Sequence, residues 1–431
     1  MADDDGIPAA SPPLWRAASW VPSLYFVEGL PYVVANHVSV ALYKTLKVGN
    51  AEIAFLTSWL SLVWALKALW SPFVDGVSTK RRWTVAMQAA MVPTLVLIAA
   101  ALPTPWFLQA SIALFFVMAF ASATHDIAAD GLYMLGLPED QQAALVGLRS
   151  TFWRLALISG EGGLVMLAGL LGAQLGPVQG WGATLGVAAA VFALGAAYHA
   201  VVLPHAPDDR PRAEPAPRAG AEAVRTFFAK EGMAVGLLFI LFFRFGENHM
   251  AKLITPFLLD PRVDGGMGLS LAEVGFAKGT VGVAALVVGG ILGGVAIWRH
   301  GLKAWMWPMV VALNAPDLVY VYLAWAQPES YSLVCGLLGL EAFGYGFGFT
   351  AYMMFLIHLA EGEYKTTHYA FATGLMALAV WAAQVWSGAA QEALGYLGFF
   401  CWVLVLTIPS AVVAWLVDVP AEFGRAPRSS S

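Results

Sequence analysis

The stretch WFLQASIALFFVMAFASATHDIAADG, residues 106–131, is apolar through its first half and then carries Ser122, His125, Asp126 and Asp130. As a helix rising about 1.5 Å per residue, it is long enough to cross the roughly 30 Å of hydrocarbon in a bilayer. The whole chain shares this character. Of its 431 residues, 59% are hydrophobic and 12% charged, the mean hydropathy is +0.69, and apolar blocks of similar length recur from end to end. A bilayer core holds no water for unpaired backbone groups, so a spanning segment is a helix or part of a closed barrel. These blocks are apolar on all sides and lack the alternation of a barrel strand, so the sequence predicts an all-α membrane protein.

Polar breaks divide the chain into twelve predicted transmembrane helices, near 20–43, 51–70, 84–102, 106–131, 146–172, 181–203, 233–259, 270–297, 303–325, 330–358, 365–391 and 396–417. The one long polar interval, HAPDDRPRAEPAPRAGAEAVRTFFAKEG (205–232), is rich in proline and charge and reads as a linker between two six-helix halves. The expected organisation is a tail (1–19), a six-helix bundle (20–203), a linker (204–232), a second bundle (233–417) and a tail (418–431). The first nineteen residues, MADDDGIPAASPPLWRAAS, lack the basic start and apolar centre of a signal peptide, so the first span is expected to be retained. With the N-terminus inside, fourteen basic residues fall in inner segments and only Lys44, Lys47 and Arg262 in outer loops. That asymmetry predicts both termini and the linker in the cytoplasm. The net charge of −5 and the lack of a basic tract give no sign of nucleic acid. Cys335 and Cys401 both lie in apolar blocks, which predicts neither a disulfide framework nor a thiolate metal site.

A charge inside a span is costly unless paired or hydrated, so each is a functional candidate. Glu28 lies in the first span, Asp126 and Asp130 in the fourth, and Arg149, Arg154 and Glu161 in the fifth. Arg244, Glu247 and Lys252 lie in the seventh, Lys278 in the eighth and Glu341 in the tenth. Ser122, Asp126 and Asp130 follow one another at four-residue spacing, a single helical stripe with His125 beside it. Span five returns antiparallel and sets Arg149 and Arg154 at similar depth, as partners for the two acids. Two readings stay open: the charges lock a closed inner side, or one acid loses its arginine when the halves move and takes up a proton. In the second half, Arg244 and Glu247 are one turn apart and Lys278 is placed to reach Glu247. Arg244 and Lys278 suit an anionic ligand group, and a self-satisfied Arg244, Glu247, Lys278 network is the alternative. Glu341 has no basic partner in its own helix or adjoining loops and is the expected proton carrier of this half. GGILGG (289–294) and Gly344, Gly346 and Gly348 offer close helix contacts. Tyr25, Tyr32, Tyr345 and Tyr352 offer rings that stack on a sugar or peptide.

The basic turns SPFVDGVSTKRRW (71–83) and GGVAIWRHGLKAW (293–305) follow the second helix of each half. With six plus six spans and a cytoplasmic linker, this layout resembles the major facilitator transporters. In that layout spans one, four, seven and ten line the central cavity, and here each carries an acid. Asp75, Arg81 and Arg82, with Arg149 and Arg154, are then the expected gating residues of the cytoplasmic side.

Seven segments carry a closer resemblance: LYFVEGLPY (24–32), ALWSPFVD (68–75), SATHDIAAD (122–130), ITPFLL (254–259), LAEVGFAKGTVG (271–282), LEAFGYGFG (340–348) and THYAFATGL (367–375). Together they resemble the AmpG-type muropeptide permeases, a branch of the facilitator superfamily that also holds acetyl-coenzyme A transporters. The resemblance implies proton-driven import of N-acetylglucosamine-1,6-anhydro-N-acetylmuramyl peptides across a bacterial inner membrane for peptidoglycan recycling. By motif position it implicates Asp126, Asp130, Arg244, Glu247, Lys278 and Glu341. His125 stands where the motif usually has glutamine, and Arg244 with Glu247 stands where lysine and aspartate are expected. The chain is expected to be a twelve-span form, without the additional helices of some enterobacterial members.

The sequence is therefore expected to specify a proton-coupled symporter rather than an enzyme. Asp126, Asp130, Glu341 and Glu28 are its proton-coupling acids, and Arg244, Glu247, Lys278, Tyr32 and Tyr345 bind substrate. No metal or organic cofactor is expected, the proton gradient being the energy source. The expected partners are a small anionic amphiphile, protons and membrane lipids, with the chain acting as a monomer. A siderophore or acyl-coenzyme A carrier is the alternative within transport. A membrane-embedded transferase or a non-transporting sensor stands further off, because no D-x-x-D lies in a loop and no soluble domain is visible.

Overall fold

The computed structural model describes residues 14–211, 217–361 and 365–425. Residues 1–13 and 426–431 of the expected tails and 212–216 of the linker, with Arg212 and Arg428 of the basic count, lie outside the described residues. Among the described residues every regular element is a helix. The spans are α1 (14–45), α2 (Asn50–Leu66), α3 (Lys80–Ala101), α4 (Phe107–Gly136), α5 (139–175) and α6 (Pro177–Val202) in the first half. The second half holds α7 (233–259), α8 (Leu271–His300), α9 (Leu302–Ala326), α10 (Tyr331–Ala360), α11 (365–394) and α12 (396–416).

Eight stretches are long and apolar enough to cross a membrane by length and composition, and one of them, His368–Leu416, contains both α11 and α12. These two meet at Gly395, whose φ of 65° lies in the left-handed region that glycine alone adopts freely. The three remaining spans are short or interrupted. α2 is one of the shorter apolar helices. α1 widens into a π turn at Val34–Val38. α7 breaks into Met233–Phe242, Phe245–Met250 and Ile254–Leu259. The breaks in α7 fall at Arg244 and Lys252.

Several element bounds differ from the sequence expectation. From the first described residue, Leu14, the chain is already helical, ahead of the expected span, because no breaker separates LWRAAS from the apolar block. The interval read as a linker contains the helix Pro217–Phe228, which opens on proline and buries Phe227 against His368 and Phe371 at ring distances of 5.5 and 5.8 Å.

Each half has its own apolar core, one centred on Val34, Leu95, Phe115 and Phe192 and the other on Phe239, Met309, Tyr352 and Leu356. The halves meet along α2 and α11, and where π turns of α5 (Ile158–Leu164) and α8 (Gly275–Gly282) lie against one another. A Cβ on Gly279 would stand 2.1 Å from the backbone nitrogen of Gly162, so this seam admits no side chain. Gly289 and Gly346 serve instead to bring α8 against α10 within the second half: Cβ atoms there would meet Phe343 O at 2.2 Å and Leu286 O at 2.1 Å.

Candidate functional site

A cavity lies between the halves, with His37, Glu161, Glu247, Lys278, Tyr320, Glu341 and Tyr345 in its walls. A neighbouring, smaller pocket shares His37, Ala251 and Lys278 and adds Tyr32, Asn36, Lys252 and Gln384.

In the first half the helical stripe of α4 turns its carboxylates toward α1, α2 and α5. Asp130 accepts from Arg149 Nη2 at 2.7 Å and from the Tyr25 hydroxyl at 2.9 Å, and the Arg149 guanidinium lies over the Tyr25 ring at 4.3 Å. The expected Asp130–Arg149 pairing is present. Asp126 pairs differently: its partner is Lys67, at the end of α2, and not Arg154. Lys67 escaped the sequence reading because ALKALW looks like the polar edge of a span. Arg154 faces the second half, its Nη1 3.9 Å from where a Cβ on Gly290 would stand. Glu28 lies within hydrogen-bonding range of Asp126, and its Oε2 is buried without a partner. Three carboxyls thus share two cations.

His125, one residue from Asp126, points to the other side of α4. Its Nε2 lies 2.7 Å from Gln88 Nε2, Gln88 Oε1 lies 2.9 Å from His199 Nδ1, and His199 Nε2 lies 3.0 Å from Ser23 Oγ. This chain ties α1, α3, α4 and α6 together behind the acidic stripe.

In the second half, Arg244 donates from Nε at 3.1 Å and from Nη2 at 2.7 Å to Glu247 Oε2, and from Nη2 at 2.6 Å to the Tyr345 hydroxyl. The rings of Phe349 and Tyr345 lie 4.7 and 5.1 Å from its guanidinium carbon. Lys278 does not reach Glu247 as expected. It crosses to the first half and pairs with Glu161, which also lies 3.4 Å from His37 Nδ1, and it donates to Thr255 Oγ1 at 3.2 Å. Tyr32 packs edge-on to Trp64 at 5.0 Å and beside Trp153 at 6.0 Å. Glu341 accepts from the Tyr320 hydroxyl at 2.9 Å. Behind it stands Asp317, 2% exposed, with both carboxyl oxygens buried and unpartnered. The sequence reading passed over Asp317, although an aspartate in the middle of APDLVYVYLAW is the same intramembrane signal that marked the other acids.

The expected gating residues on the basic side hold the first half together. Asp75 pairs with Lys80, and Arg81 donates from Nε to Leu203 O at 3.1 Å and also to Ala200 O. Asp209 caps the start of α3 by accepting from the backbone of Lys80 at 2.6 Å and Arg81 at 3.0 Å. Arg82 is exposed. Among the described residues, polar contacts between the halves cluster instead at mid-depth and at the opposite end, the one assigned to the outside. There Lys44 Nζ lies 2.6 Å from Asp260 Oδ1, and Asn50 Nδ2 donates to Gln391 at 2.7 Å and Tyr396 at 2.8 Å. The backbone N–H of Ala51 donates to Glu392 at 2.9 Å, and Tyr396 donates to Asp260 at 2.6 Å. This network closes that end, and the sequence reading assigned none of its members to a functional site. Among the described residues no group of three or more His, Cys, Asp or Glu side chains is arranged to hold a metal ion.

Comparison with known proteins agrees with this architecture. The family model of the BT1 family matches residues 28–231. "Putative transporter AmpG 4" of Rickettsia felis is 24% identical, over 90% of this chain and 94% of its own length. The anhydromuropeptide permease of Escherichia coli K12 is 25% identical, over 93% of this chain and 80% of its own. Among solved structures, a bacterial homologue of the human lysosomal transporter Spinster, inward-facing and unoccupied, superposes with a TM-score of 0.71 at 15% identity, covering 93% of this chain and 96% of its own. A D-xylose-proton symporter gives 0.70 at 11% identity, covering 96% and 99%. The chain is a multi-pass membrane protein of the major facilitator fold, similar along about nine tenths of its length to proteins named as an AmpG transporter and as an anhydromuropeptide permease.

Proposed function

We propose that the protein imports anhydromuropeptides across the bacterial inner membrane in symport with protons, by alternating access. The observation that carries this reading is the charge inventory around the cavity. Among the described residues, Glu28, Asp126 and Asp130 face only the cations Lys67 and Arg149. Among the described residues, Glu341 and Asp317 have no cation within ion-pairing distance. An unbalanced carboxylate in low dielectric is costly, and a proton removes the cost. When the halves rock, an acid that parts from its cation accepts a proton, and releases it when the pair re-forms. Glu341 stands in the cavity wall, where proton occupancy and solute occupancy sense one another. Tyr32 and Tyr345 offer rings to the sugar, Arg244 and Glu247 fix Tyr345, and Lys278 with Glu161 joins the halves beneath the solute. The relatives named as muropeptide permeases supply the substrate.

The test is uptake of labelled anhydromuropeptide by proteoliposomes with and without an inward proton gradient. Accumulation above equilibrium only with the gradient is expected, and Glu341→Gln should keep downhill flux while losing accumulation. Equal uptake in both conditions removes proton coupling. No uptake by folded protein removes the substrate and turns attention to siderophores and acyl-coenzyme A.

A further inference from the structure

Among the described residues, Lys252 and Lys278 line the pockets and Arg244 is buried beside the cavity-wall residues Glu247 and Tyr345; Arg244 is already neutralised by Glu247 and Lys278 by Glu161. Lys252 differs. It is 6% exposed, lines the smaller pocket, and has no carboxylate within 4 Å among the described residues. Its Nζ donates at 2.9 Å to the backbone carbonyl of Asn36, which belongs to the π turn of α1. Two amide oxygens in the same pocket, Asn36 Oδ1 and Gln384 Oε1, are buried with no hydrogen-bond partner. A buried ammonium without a counter-ion and buried acceptors without donors are both costly, and they lie side by side.

We infer that Lys252, Asn36 and Gln384 form a subsite for a carboxylate that carries an adjacent N–H, as at the end of a peptide or in an N-acyl amino acid. The inference rests on the transport reading above and deepens it by naming the group that is recognised. The ammonium takes the carboxylate in a charge-assisted hydrogen bond. One of the bare amide oxygens accepts from the neighbouring amide N–H and the other from a further donor of the ligand, so the subsite requires donors as well as charge. Arg244 and Lys278, which the sequence favoured as anion clamps, keep their own acids and shape the walls.

The experiment measures binding to the full-length protein in detergent with two probe pairs. One is an anhydromuropeptide and its peptide-carboxamide analogue. The other is an N-acetyl amino acid at millimolar concentration and its methylamide, read by thermal shift. Wild type should prefer each carboxylate over its amide by about tenfold or more, the range expected of a hydrogen bond to a charged group. Lys252→Met should abolish that preference, and Lys252→Arg should retain part of it. Asn36→Asp places a carboxylate beside the ammonium and should also abolish the preference, an independent readout if Lys252→Met folds poorly. If wild type shows no carboxylate preference with either pair, or Lys252→Met keeps it, the subsite is refuted. If only the small probes show it, the subsite stands and the muropeptide reading falls.

Discussion

Removing the ammonium of Lys44 should unlock the outer end. Lys44 and Asp260 lie 2.6 Å apart with side chains 14% and 16% exposed, an environment between a surface pair, worth about 0.2–1 kcal/mol, and a fully buried one, whose rupture costs about 3–5 kcal/mol. After Lys44→Met, Asp260 still accepts from Tyr396 at 2.6 Å, so part of its solvation survives. A loss of about 2 kcal/mol follows, and it falls on the closed state alone because only there do the halves bring the pair together. That converts to a roughly 30-fold rise in the open fraction. Ala54 reports it: it is 1% exposed and packs at the seam with Leu253, Ile254 and Phe257 of α7. In a background lacking Cys335 and Cys401, the alkylation rate of Ala54→Cys should rise roughly 30-fold on Lys44→Met, by the same arithmetic. It should rise comparably on Asp260→Asn, and return toward the starting rate in the charge-reversed pair Lys44→Asp with Asp260→Lys. A rate unchanged by Lys44→Met, or a charge-reversed pair as fast as the single variants, would refute the gate.

Arg244→Met should destabilise the protein by about 3–5 kcal/mol, as expected when one partner of a buried pair is removed, and adding Glu247→Met should recover most of the loss in Tm. Gly279→Ala should abolish uptake, because its Cβ would collide with the Gly162 backbone at 2.1 Å and force the α5–α8 seam apart; full uptake by this variant would show that the seam is not a close contact during transport. Lys67→Met should impair folding or uptake, with Asp126→Asn as its suppressor in the same assay; a double variant no better than the single one would show that the pair does not balance charge.

The spans were legible because the bilayer leaves the backbone only one economical solution, and a run such as 106–131 states it without help from the rest of the chain. The acids of α1, α4, α7 and α10 were legible for the same reason, each being an exception inside an apolar block. Their partners were not. Asp126 meets Lys67 and Glu161 meets Lys278, pairs 59 and 117 residues apart that no helical periodicity relates. The outer gate was hidden further still, because Lys44, Asn50, Asp260 and Tyr396 lie at span ends, where polar residues are the ordinary expectation. Glycine spacing misled in its own way. GGILGG is the more conspicuous motif but packs within one half, whereas the contact between halves uses single glycines, Gly162 and Gly279, brought into register by π turns whose presence the sequence does not advertise.

The broken seventh helix has a consequence for biosynthesis. Leu237 to Phe243 contribute about −0.3 to −0.6 kcal/mol each to translocon-mediated insertion, whereas Arg244 and Lys252 oppose it by roughly 2.5–3.5 kcal/mol each. Alone, α7 is at best indifferent to the membrane. Its charges become acceptable only beside Tyr345 and Glu247 and against the carbonyl of Asn36, which belongs to a helix made two hundred residues earlier. The second half is therefore not an independent insertion unit. It must leave the translocon next to an already assembled first half, and a chain split within the linker should yield a functional protein only when both fragments are synthesised together.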